Sequence, residues 1–257
     1  MLIRVVNGRK LIKYFLLFTA AAAAIIAFFM LAGSKAVGAF GNTKELPIYS
    51  VDRTDKVVSI TFDCAWGDND IPDILKALGD NGVRATFFIV GQWAEKYPDT
   101  VKSISNAGHD IANHGYSHVR MGAIDKAKIK NEIEKCGSVL SAVTGRKIDL
   151  FRPPYGDYND DTITTARNLG YYPIQWDVDS LDWKTDISQD EIMNRLTGKV
   201  KNGSIILFHN DTKHTAKMLP SVITKLKDMG YGFLPVSQII MRDGYKIDYQ
   251  GRQIKKQ

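Results

Sequence analysis

The stretch VVSITFDCAWGDND, residues 57–70, decides how the chain is read. Val57, Val58, Ile60, Thr61 and Phe62 make a run of β-branched and aromatic residues, the composition of a buried strand. The run then breaks into Asp63, Cys64, Asp68 and Asp70 around Gly67. Turns favour Asp, Asn and Gly, so the acids alone could mark nothing more than the end of a strand. Whether Asp63 ends a strand or starts a reaction depends on what the other strands carry at their ends.

Outward from this run, short apolar segments alternate with amphipathic ones. KVVSITFD (56–63), RATFFIVG (84–91), HDIANH (109–114), DLFRPP (149–154), YYPIQWDV (171–178), GSIILFH (203–209) and YGFLPVS (231–237) read as strands. Between them, 71–82, 92–108, 125–145, 160–170, 188–200 and 215–230 read as helices, the first closed by Gly82, the second by Gly108 and the last broken early by Pro220. Alternation of this kind predicts an α/β fold with a mainly parallel sheet, either a barrel or an open doubly wound sheet. No glycine-rich turn follows the first strand, which excludes the dinucleotide and P-loop readings. The two cysteines, Cys64 and Cys136, are too few for a disulfide framework, and whether they pair is left open.

The net charge of +6 is concentrated in the first 40 residues, where Arg4, Arg9, Lys10, Lys13 and Lys35 stand without an acid. The rest of the chain is nearly balanced, with no basic patch of the kind nucleic-acid binding requires, so no nucleic-acid partner is expected. The early charges precede twenty uncharged residues, 14–33. That length in helix spans about 30 Å, one bilayer core. The expected organisation is a basic cytoplasmic N-terminus (1–13), a transmembrane anchor or uncleaved signal (14–33), a linker (34–54), one domain (55–240) and a basic C-terminal tail (241–257). Basic residues before the span place that domain outside the cytoplasm, at the cell membrane.

In strand–helix barrels, reactive side chains gather at the C-terminal ends of the strands. Here those ends carry Asp63; His114 and His118; Arg152 and Tyr155; Asp177, Asp179 and Asp182; and His209. Three of the five histidines fall there. His114 and His118, four residues apart, would share a face on a helical turn and could reach one metal ion. Taken singly, each has an ordinary reading: a core histidine, an ion-paired arginine, a strand-end acid. Their joint occurrence is what needs explaining.

The set resembles the polysaccharide deacetylases of carbohydrate esterase family 4, which share the NodB-like domain. TFDCAWG (61–67), HGYSH (114–118), RPPYG (152–156), DSLDW (179–183) and LFH (207–209) are similar to the five family motifs and occur in family order. The resemblance implies a distorted (β/α)7 barrel that removes N-acetyl groups from an amino-sugar polymer with a divalent metal, zinc before cobalt, manganese or nickel. It implies Asp63 as general base, His209 as general acid, Arg152 orienting Asp63 and Asp182 setting the charge of His209. It further implies His114 and His118 as metal ligands, the Tyr155 backbone N–H facing the oxyanion, and Trp183 and Leu207 shaping the acetyl pocket. The nearest likeness is to membrane-anchored sporulation deacetylases, which makes peptidoglycan a better expected partner than chitin.

One position departs. The family motif reads Thr-Phe-Asp-Asp, its second Asp being the third metal ligand, and here that position is Cys64. Cys64 could bind as a thiolate, Asp68 or Asp70 could swing in, water could complete a two-histidine site, or the domain could bind glycan without turning it over.

Overall fold

The computed structural model describes residues 12–13, 15–23, 25–27 and 44–256. Residues 12–13, 15–23 and 25–27 are helical. The remainder of the expected anchor and residues 34–43 of the expected linker lie outside the described residues. Among the described residues no helix is long and apolar enough to cross a membrane.

A compact unit covers Glu45–Gln257. Its main sheet has the order β6-β5-β4-β3-β2-β8-β7: β6 Tyr172–Pro173, β5 Leu150–Phe151, β4 Asp110–Asn113, β3 Thr86–Ile89, β2 Val57–Cys64, β8 Ile205–His209 and β7 Val178–Asp179. All these pairings are parallel, and β9 (Gly232–Phe233) adds alongside the start of β2. The expected strand over 171–178 is split in two. β6 and β7 lie at opposite edges of the sheet, so the barrel is open between them.

β2 is central, paired to β3 on one side and β8 on the other. Its side chains alternate between faces as the pleat requires. Val58, Ile60, Phe62 and Cys64 join the larger apolar core with Ile74 and Leu78 of α1 (Ile71–Asp80) and with Leu219 and Val222 of α7 (Thr215–Asp228). Phe62 stacks on Phe87 with ring centroids 4.8 Å apart, an arrangement worth about 0.5–1.5 kcal/mol beyond its burial. The other face carries Ser59, Thr61 and Asp63, all buried. A single slip of register would exchange these faces, so the apolar set of β2 fixes where Asp63 points.

The helices begin and end where their caps dictate. Asp125 accepts from the Lys128 N–H at 2.9 Å to start α4 (Lys126–Thr144), and Gly145 at φ 68° stops it. Capping boxes from Asn159 and Ser188 open α5 (Asp160–Asn168) and α6 (Gln189–Lys199). The expected helix over 92–108 is two, α2 (Gly91–Lys96) and α3 (Pro98–Asn106), because Pro98 starts a new one. Pro220 does not break α7, which runs through it.

The expected linker and tail boundaries require correction. Ser50–Val51 (β1) pairs with β11 (Arg252–Lys255), which pairs with β10 (Tyr245–Ile247), so both ends belong to the folded unit. Ile48 bridges Ile174, and Ser50 bridges Ser204. This segment thus links the chain after β6 to the chain before β8, across the opening of the barrel. Gly203, at φ 78°, makes the approach possible: a Cβ there would sit 1.8 Å from the Val51 carbonyl oxygen.

Candidate active site

The C-terminal ends of β2, β4, β5 and β8 converge on a cleft of about 480 Å³, lined by Asp63, His114, His118, Tyr155, Leu207 and His209 among others. Asp63 ends the polar face of β2 and is buried. Its Oδ1 accepts from Arg152 Nη1 at 2.6 Å, and its Oδ2 lies 3.4 Å from His114 Nε2. Burial opposes a charge there, but the Arg152 guanidinium, helped by His209, holds the carboxyl below its ordinary range.

Arg152 is itself fully buried. Besides Asp63 it donates to Thr61 Oγ1 at 2.9 Å and to the Gln175 carbonyl at 3.1 Å, and it lies 3.9 Å over the Phe88 ring. Its backbone carbonyl meets His114 Nδ1 at 2.8 Å. A carbonyl only accepts, so the proton sits on Nδ1 and Nε2 presents its lone pair to the cleft. Burial lowers the affinity of His114 for a second proton. For His118, burial and then the neighbouring His114 bring the value down to about 4. Both rings are neutral at physiological pH, the form that binds metal.

The helical route to this pair is not the one taken. His114 and His118 sit in the loop after β4, and His118 adopts φ 56°. Their rings lie 5.2 Å apart, and the ring of Tyr155, at φ 60°, packs at a tilt 4.5 Å from that of His118. Left-handed backbone in two non-glycine residues is strain of the kind that gathers at functional sites.

On the next strand, His209 Nδ1 lies 2.8 Å from Asp182 Oδ1, while Asp182 Oδ2 accepts from the His209 N–H at 2.7 Å and from the Thr215 hydroxyl. Burial works against a charged His209, but the bond and charge of Asp182 prevail and raise it above its ordinary value. Trp183 and Leu207 line the same cleft, Trp183 half exposed.

Cys64 is not with them. It does not line the cleft; it is fully buried in the apolar core beside Phe62. Burial first, then Asp63 and Asp70, push its thiol well above the usual range, so it remains protonated. Strand alternation is the reason: if Asp63 faces the cleft, the next residue faces the helices. The assignment of Cys64 as third ligand is therefore not supported. Asp68 accepts from Thr100 Oγ1 at 2.6 Å and Asp70 from the Asp211 N–H at 2.9 Å, so both are engaged elsewhere. Cys64 and Cys136 are both free thiols. Asp177 holds Ser204 and Ile205, a structural role.

Among the described residues no group of three His, Cys, Asp or Glu side chains could hold a metal ion. The two neutral histidines, with His114 locked in the ligating tautomer, fit a divalent ion whose remaining positions are filled by water or substrate. The reading from sequence missed Trp66, Arg120 and Trp176, which also line the cleft. Trp66 follows the acid of β2 and Arg120 follows His118, so position after a strand end was the available signal.

A base held ionised on β2 and an acid held protonated on the adjacent β8, with two metal-ready histidines in the loop after β4, is the layout of a hydrolase. Residues 50–174 match the polysaccharide deacetylase family model. A peptidoglycan-N-acetylglucosamine deacetylase of Bacillus cereus is 35% identical over 181 residues, covering 69% of this chain and 66% of that protein, just under two thirds of its length. A solved peptidoglycan N-acetylglucosamine deacetylase is 32% identical with a TM-score of 0.72, covering 75% of this chain and 92% of the other. A solved family-4 pseudoenzyme of Bacillus anthracis is also 32% identical with a TM-score of 0.72, covering 75% and 68%. The chain belongs to the polysaccharide deacetylase family, carbohydrate esterase family 4.

Proposed function

We propose that the protein removes N-acetyl groups from amino sugars of peptidoglycan. The observation that carries this reading is the pairing of Asp63 on Arg152 with His209 on Asp182, which sets one group as a base and the other as an acid at adjacent strand ends. Amide hydrolysis needs both at once. Asp63 takes a proton from the attacking water as its oxygen bonds to the acetyl carbon. His209 gives its proton to the sugar nitrogen as the C–N bond breaks, releasing acetate and a free amine. Arg152 keeps Asp63 ionised and aimed, and the Tyr155 N–H is assigned to the carbonyl oxygen as charge develops there. Trp183 and Leu207 shape the pocket for the acetyl methyl.

His114 and His118 would hold a divalent metal, zinc before cobalt, manganese or nickel, because two imidazoles suit those ions. The metal supplies polarisation of the carbonyl and acidification of water. Peptidoglycan is favoured over chitin by the names of the related proteins. The basic residues before the uncharged stretch 14–33 support a single-pass anchor with the domain outside the cytoplasm, and likeness of motif supports a role in sporulation.

A second reading has a specific observation behind it. With Cys64 in the core, the metal lacks a third protein ligand, and the matched Bacillus anthracis protein is a pseudoenzyme. On that reading the cleft binds glycan and turns it over weakly or not at all. Acetate release from purified peptidoglycan by residues 45–257, with bound metal measured in parallel, decides between the two. Release abolished by a chelator and by Asp63→Asn supports the deacetylase, whereas glycan binding with no release supports the binding module.

A further inference from the structure

Arg120 is an exposed side chain on the rim of the cleft. Its guanidinium lies 4.7 Å over the Tyr155 ring, and Tyr155 in turn packs at a tilt against His118. Most other arginines of the folded unit have an oxygen partner: Arg53 has Asp55, Arg152 has Asp63, Arg167 has Glu45, Arg242 has Asp149 and Arg252 has Asp52. The Arg120 side chain has no hydrogen bond and no ion pair among the described residues. Among the described residues it is the only arginine or lysine lining the cleft, whose walls also carry two carboxylates, Asp63 and Asp179, and the aromatic side chains of Trp66, Trp176 and Trp183.

These observations describe a guanidinium held in place by a ring and left with its donors free toward the substrate. Stacking restricts a side chain that otherwise has ample rotamer freedom, so less is lost when it binds. The planar fork matches a carboxylate and makes charge-assisted bonds to it. Half-exposed Trp66 and Trp183 offer apolar surface to sugar rings within the same cleft. A neutral amino-sugar polymer offers such a guanidinium only hydroxyl and amide oxygens, which bind it more weakly than a carboxylate does.

We propose that Arg120 is a specificity-determining residue that reads a carboxylate on the glycan, selecting a polymer in which carboxyl-bearing amino sugars alternate with neutral ones. The inference rests on the cleft being a glycan site, as in the reading above, and deepens it by naming the charge of the substrate. The carboxylate can come from two places on such a polymer: an acid ether on the sugar itself, or a peptide attached to it.

Calorimetry on residues 45–257 tests the proposal without requiring turnover, with acetate release followed separately. Three oligosaccharide probes of equal length are compared: chitooligosaccharide, peptidoglycan glycan stripped of peptide so that the lactyl carboxylate is free, and peptidoglycan glycan with its peptides in place. In Arg120→Gln, affinity for the carboxylated probes is expected to fall about tenfold while affinity for chitooligosaccharide changes less than twofold. Arg120→Lys is expected to recover part of the loss. A loss confined to the stripped glycan places the carboxylate on the sugar, and one confined to the peptide-bearing glycan places it on the peptide. Equal losses for neutral and carboxylated probes, or no loss for either, overturn the proposal. If no acetate is released while the selective loss is seen, the deacetylase reading fails and this one stands.

Discussion

Arg152 acts on Asp63 and His114 from its two ends: its guanidinium lies 2.6 Å from the carboxylate of Asp63, and its carbonyl oxygen lies 2.8 Å from Nδ1 of His114. One residue therefore sets the charge of the base and the tautomer of the first histidine. The side chain and the backbone do different work, so substitution separates them.

Replacing Arg152 by Met removes the guanidinium and leaves the carbonyl in place. Asp63 is then a buried carboxylate without its countercharge, which costs roughly 3–5 kcal/mol. Denaturant unfolding measures this. A group whose folded pKa is depressed is ionised down to lower pH, so wild-type activity persists on the acid side. Loss of Arg152 raises the carboxyl, and the acid limb of the pH–rate profile moves to higher pH. An unmoved acid limb would show that Arg152 does not set the charge of Asp63.

Asp182→Asn has the opposite locus. Asp182 raises His209 against the effect of burial, so the variant is expected to lower it. An acid must be protonated to act, and activity is lost as pH rises through its pKa. The alkaline limb of the profile should therefore shift to lower pH, with the acid limb unchanged. The variant also keeps an oxygen toward the His209 N–H, so the fold should survive.

Much of the site was legible because its chemistry sits at strand ends and the strands announce themselves. Ile205–Phe208 is a continuous apolar run and Val57–Phe62 a mainly β-branched and aromatic one, and the residue after each is a titratable group. What was not legible depended on facing. The one-residue distance between Asp63 and Cys64 reads as adjacency in sequence, but the pleat puts them on opposite faces of the sheet. The split of 171–178 into β6 and β7 was hidden because no glycine interrupts the stretch and only tertiary pairing separates them. Likewise, residues 48–51 and 245–255 lack an apolar run long enough to declare a strand, and they pair only with each other and with the open edges of the barrel. Arg120 escaped notice because an unpaired cation is ordinary in sequence and informative only beside a ring and a cleft.

The facing of Cys64 leads to a sharp test. Cys64→Ala should leave bound metal and its affinity unchanged while costing roughly 1 kcal/mol of stability for the small cavity it opens. His114→Ala should abolish binding. Metal lost from Cys64→Ala at undiminished stability would show that the thiol turns to the cleft in the loaded protein.

A final expectation concerns acid stability and a histidine outside the cleft. His109 is buried, its Nδ1 accepts from the Ala85 N–H at 3.2 Å, and its ring packs 5.3 Å from Phe87. Protonating Nδ1 would set two donors against each other. Burial, and then the charge of Arg84, bring its pKa from 6.5 down to about 4. The unfolded chain therefore binds a proton in the window between these values while the folded chain does not, so stability is intact above 6.5 and falls as pH drops toward 4. The loss should reach on the order of 2–3 kcal/mol. His109→Asn can still accept from Ala85 and does not titrate there. It will be less stable at neutral pH through lost packing, but its stability should fall less steeply across the window than that of the wild type. Parallel slopes for the two proteins in urea unfolding from pH 7 to pH 4 would rule His109 out as a source of acid sensitivity.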